Sequence, residues 1–206
     1  MSGCRLSAPA RSVLRMTETR VPGALDADFT VVMDGDEVAT MLSSLARTRR
    51  TFAWKCWDLD AAGLTTTIGA STITLGGLLK HLALVETDWF AVKLRGERYL
   101  SPWEEGDWDS GPDWEWRSAA DDSPEELYAL WKGAVGRADE MIAAALAEGG
   151  PGTPGRFTWD DGRTPNLRRM VADVCEEYSR HCGHADLIRE VVDGRVGEDP
   201  PREFRP

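Results

Sequence analysis

Residues 170–191 read MVADVCEEYSRHCGHADLIREV, and the spacing inside this stretch decides the fold class. Met170, Val174, Glu177, His181, His184, Ile188 and Val191 recur at alternating steps of four and three. Residues so spaced share one face of a 3.6-residue helix, the seam that a bundle helix turns toward its neighbours. The middle of this seam is polar. An ionisable trio inside an apolar stripe is costly unless its members pair with one another or coordinate a metal.

Three further helices precede this one. Val38, Leu42, Leu45 and Phe52 recur at helical intervals behind acidic residues, which predicts a helix over 36–57. Thr74 can cap a second helix of about twenty residues with Leu78, Leu82, Val85 and Phe90 on its apolar face, ending near Gly96. Ser123, Pro124 and Glu126 form a capping box with proline at the first position, and Gly149 and Gly150 close that third helix. Thr164 and Pro165 open the last, which runs to about Gly194. The fold class expected is all-α: a four-helix bundle whose second and third helices are joined by a long irregular crossover. That crossover, residues 99–122, holds Pro, Gly, many acids and four Trp without helical period. It reads either as a solvated acidic loop pinned by its tryptophans or as a lid over a pocket.

Composition bounds the partners. The chain has 206 residues, enough for one domain with a substantial core, and a formal charge of −11. No basic stripe is available to neutralise phosphates, so neither nucleic acid nor an anionic membrane is an expected partner. No run of about 18 apolar residues reads as a membrane span, and the opening residues lack the apolar core of a signal peptide. Residues 1–27 read as a disordered arm, with Met16 an alternative start, residues 28–195 as the bundle, and 196–206 as a polar tail. Cys4, Cys56, Cys175 and Cys182 form no CxxC pair and read as reduced thiols, which points to the cytoplasm.

The chemistry centres on histidine. Glu177 and His181 lie four apart, about 6 Å along one face, so their ligating atoms can converge on one ion, and His184 follows on the next turn. His81 sits on the buried stripe of the second helix, and these are the only histidines in the chain. Imidazole and carboxylate without thiolate suit zinc, and also nickel, iron or manganese. Three protein ligands would leave an open position, as catalytic ions require. Arg49, Arg50 and Lys80 flank the expected mouth but read equally as solvated charges, as do Arg180 and Arg189. Glu86 points to another side of its helix than His81, and Cys182 reads as a small buried thiol, not a nucleophile.

The segments TLGGLLKHLALVETDWF (74–90) and EEYSRHCGHADLIRE (176–190), with PDWEWRSAADDSPEEL (112–127) between them, resemble the DinB-like superfamily of four-helix bundles, in its actinobacterial branch. The chain is also similar to the mycothiol-dependent maleylpyruvate isomerases. The resemblance implies a divalent metal, usually zinc or nickel, held by His81 on the second helix and by Glu177 and His181 on the last. His184 then departs from the family pattern, either as an alternative ligand or as a group behind the ligands. It further implies an S-transferase or isomerase that uses a low-molecular-weight thiol such as mycothiol, with a small-molecule thiol and an electrophile as partners. Two alternatives stand beside that reading: a homodimeric metal-binding bundle without catalysis, acting in binding or stress response, and a metal-assisted hydrolase.

Overall fold

The computed structural model describes residues 29–206, so the expected N-terminal arm, Cys4 and Met16 lie outside the described residues. Four long helices form a bundle, and the described residues form no strand. Helix α1 (Glu37–Cys56) starts where Asp36 accepts a hydrogen bond from the Ala39 amide at 2.8 Å. A single turn, α2 (Ala61–Leu64), follows behind an Asp60 cap, and it is too short to leave a periodic signature in the sequence. Helix α3 (Leu75–Glu86) is capped by Thr74, which accepts from the Gly77 amide. It runs without a break into a π-helical segment, Thr87–Leu94, that ends just before Gly96 at φ 73°. The wider turns keep Phe90, Ala91 and Leu94 on the core side.

The crossover is less irregular than its composition implies. It contains a five-residue helix, α4 (Trp114–Ser118), packed against α3, and Trp103 is buried in the core. Helix α5 (Pro124–Gly149) opens on the expected reciprocal cap: Ser123 N donates to the Glu126 carboxylate and Glu126 N to the Ser123 hydroxyl. Helix α6 (Leu167–Asp193) begins later than the sequence suggests. Asn166, not Thr164, is its cap, accepting from the Arg169 amide. The reason is tertiary. The Gly155 amide donates to the Pro165 carbonyl and Pro154 bridges Asn166, which holds the backbone extended there, while the Thr164 hydroxyl pairs with Thr158.

Helix α1 packs along α6, and α3 lies against both α5 and α6. Phe52, Trp131 and Tyr178 meet edge-to-face at the centre, with ring centroids 5.7 and 5.8 Å apart, and the Trp131 indole donates to the Tyr178 hydroxyl. Of the seam residues on α6, Met170, Val174, His181 and Ile188 are buried. Val191 is exposed, contrary to expectation, because a 3.6-residue helix drifts off the four-three spacing and turns Val192 toward the core in its place. Nearby, Arg189 is fully buried and donates to the carbonyls of Lys55 and Trp57, satisfying the open C-terminus of α1. The tail folds back: Asp199 pairs with Arg47, and Phe204 packs on Trp57.

Candidate metal centre

His81 of α3 and Glu177 and His181 of α6 face each other across the helix pair. Each side chain offers a ligand atom, and these three atoms lie within 4.8 Å of one another. Glu177 Oε2 is 3.3 Å from His181 Nε2 and 3.8 Å from His81 Nε2, and the two imidazole centroids are 4.9 Å apart. Ligands about 2.1 Å from a tetrahedral ion stand about 3.4 Å from each other, close to the 3.3 and 3.8 Å that separate Glu177 from the two imidazoles.

The protonation of the site suits a cation. Burial drives the His181 imidazolium pKa down from 6.5 to about 3, with His81, His184 and Arg180 adding to the effect. His181 is therefore neutral at physiological pH. Its Nδ1 lies 3.2 Å from His184 Nδ1, so His184 sits behind His181 and outside the group of three converging atoms. A proton on His181 Nδ1 given to His184 leaves Nε2 with its lone pair toward Glu177. The donor set, two imidazoles and one carboxylate without a thiolate, fits a borderline divalent ion such as zinc or nickel. Glu177 is 37% exposed, which opens that side of the group to solvent.

Two side chains that sequence reasoning passed over complete the wall. Trp116 stacks on His81 at 4.4 Å and lies 5.8 Å from His181. Glu115, only 5% exposed, accepts from His81 Nδ1 at 3.1 Å. Both belong to α4, inside a segment without period, and only tertiary packing brings them here. The one sequence signal was the Gly76–Gly77 pair: a Cβ at Gly77 would stand 2.9 Å from Trp116 Cε3, so this glycine makes room for the indole. Lys80 holds the same segment, reaching Asp122 at 2.6 Å and lying over the Trp114 ring.

The cations expected at the mouth lie elsewhere. Arg49, Arg50 and Lys80 are all buried, and Arg49 pairs with Glu86 and Asp139 deep in the bundle. Arg180 is exposed. The described cysteines offer no nucleophile: burial raises Cys175 to about 11 and Cys182 to about 12, and Cys56 rises for the same reason. Cys182 donates weakly to the Thr48 carbonyl.

The profile of the mycothiol-S-transferase family matches residues 40–194, which span α1 through α6. The chain belongs to that family, a DinB-like group related to mycothiol-dependent enzymes. Among curated proteins no match to the chain is found. All the residues of the histidine group lie within the matched span, and no described helix is long and apolar enough to cross a membrane.

Proposed function

We propose that this member of the mycothiol-S-transferase family is a divalent-metal-dependent enzyme, with His81, Glu177 and His181 holding the ion and His184 supporting His181. The observation that carries the reading is the convergence of three ligand atoms from two helices within 4.8 Å. A divalent ion bound there supplies positive charge that favours the thiolate of an incoming thiol at neutral pH, well below its usual value of about 8.5. The chain's own residues do the rest. His181 stays neutral and keeps Nε2 directed at Glu177, His184 fixes the tautomer, and Trp116 closes the side behind His81 to water. The half-exposed side at Glu177 and His184 admits the substrates and lets the thiol proton leave to solvent. Because no described cysteine is a thiolate at neutral pH, the sulfur nucleophile is external, and mycothiol is the thiol that the family points to. We favour S-transfer, to which the family name points: the sulfur would attack an electrophilic carbon, the new C–S bond replacing that carbon's bond to a leaving group such as halide, which departs to solvent as the anion. An enzyme that consumes a reduced thiol belongs where that thiol is kept reduced, so this reading puts the activity in the cytoplasm.

Cobalt substitution tests this directly. Mycothiol should perturb the visible cobalt spectrum of the loaded protein and support conjugation of an aryl halide. A spectrum indifferent to every thiol, with small esters hydrolysed instead, would establish a metal-assisted hydrolase. Indifference with no turnover of either kind would establish a non-catalytic metal-binding bundle.

A further inference from the structure

We infer that Glu115 is a positioning residue: its carboxylate fixes the tautomer and ring orientation of His81 so that Nε2 presents its lone pair to the ion, which makes the crossover helix a working part of the site. The inference rests on the proposed metal centre.

The placement of Glu115 is unusual for a structural carboxylate. It is almost wholly buried, yet it has no arginine or lysine partner among the described residues. Oε1 takes the His81 Nδ1 hydrogen at 3.1 Å, and the buried Oε2 has no hydrogen-bond partner among them. Compare Glu86, also buried, which receives two bonds from Arg49. Burying a carboxylate with one oxygen unmet costs stability, and the single bond from His81 offsets only part of that cost. The imidazole does use it. A histidine that donates one nitrogen's proton to a carboxylate holds the other nitrogen as a fixed and more basic donor atom, which is how carboxylates behind metal-bound histidines act. His81 meets both conditions, with Nδ1 on Glu115 and Nε2 facing Glu177 at 3.8 Å.

The surroundings hold the carboxylate in place. Lys80, the residue before His81, pairs with Asp122 and lies 4.8 Å over the Trp114 ring, while Trp116 stacks on His81 itself. Adjacent residues of α3 therefore grip both flanks of Glu115. Its charge also complements a cation: with Glu177 the site holds two carboxylates against one divalent ion.

Cobalt(II) affinity, read by competition with a chelator and by the visible spectrum, tests the inference together with thermal unfolding of the metal-free protein. Glu115→Ala is expected to weaken cobalt binding about 10- to 100-fold, in the range typical of lost partners behind metal ligands. Glu115→Gln keeps an acceptor of the same shape without the charge and should lose less. Glu115→Gln should leave the metal-free melting temperature near that of the parent, because it keeps the shape and the acceptor, so its loss of affinity reads the charge alone. A merely structural residue would give the opposite pattern, a lower melting temperature with unchanged affinity per folded chain, and that result overturns the inference. Binding to Glu115→Ala within about twofold of the parent, while His81→Ala abolishes it, overturns the inference but leaves the metal centre standing. Failure of the parent protein to bind cobalt overturns both.

Discussion

Helices α3 and α6 carry two polar clusters into one core about a turn apart, and the clusters resolve the cost of burial in opposite ways. In the first, Arg49 reaches Glu86 through two bonds at 2.6 and 2.5 Å and Asp139 at 2.7 Å, and Tyr178 bonds Glu86 in turn. Burial alone would lower the Arg49 pKa, but Glu86 and Asp139 more than reverse this and hold the guanidinium charged. Every group is spoken for. In the second, two imidazole nitrogens and a carboxylate oxygen point at one another with no cation between them among the described side chains. The first cluster brings its own cation. On the proposed reading the second takes its cation from solution, and the difference would then be between polar groups that specify a fold and polar groups that hold a ligand.

The contrast can be broken most forcefully at Arg49. Arg49→Ala leaves Glu86 buried and uncompensated and should cost about 3–5 kcal/mol in urea unfolding, while metal bound per folded chain stays unchanged. The Arg49→Met, Glu86→Leu double variant should recover most of that loss, as apolar replacements of buried ion pairs do. Next in size, Gly77→Ala pushes a methyl into Trp116 and should cost about 1–3 kcal/mol, with a shift in tryptophan emission and weaker cobalt binding. An unchanged emission spectrum would show that Trp116 does not rest on α3 as described.

A smaller effect concerns acid. In metal-free protein the folded His181 pKa of about 3 lies below the unfolded value near 6.5, so between those limits the unfolded chain binds the extra proton. Stability should therefore fall as pH drops from 6.5 toward 3, by up to about 1.4 kcal/mol per pH unit from this group. The His181→Gln protein should lack that component when unfolding is compared at pH 7 and pH 5. The smallest effect belongs to the surface. Removing the exposed Arg169 to Asp173 pair of α6 with Arg169→Ala should change stability by no more than about 0.5 kcal/mol and leave metal binding alone.

What could be read from the sequence was local. The caps at Thr74 and Ser123 and the stop at Gly194 depend on residues within four positions, so spacing alone reveals them. The histidine face of α6 was legible for the same reason, since one helical turn sets the relation of Glu177 to His181. Properties that depend on distant partners were not. Arg49, Lys80 and Arg189 look like surface charges until Glu86, Asp122 and the open carbonyls of α1 are brought to them. Thr164 lost its cap to Asn166 because Pro154 and Gly155 pair across the turn. Glu115 and Trp116 had no periodic signal at all, and only the docking of α4 on α3 puts them beside His81.

Elemental analysis of protein purified without added chelator tests the central claim most directly. The account predicts about one divalent ion per chain in the parent protein and a loss of that ion in both His81→Ala and His181→Ala, with the helical circular dichroism of each retained. Equal metal content in the parent and in both variants would contradict it.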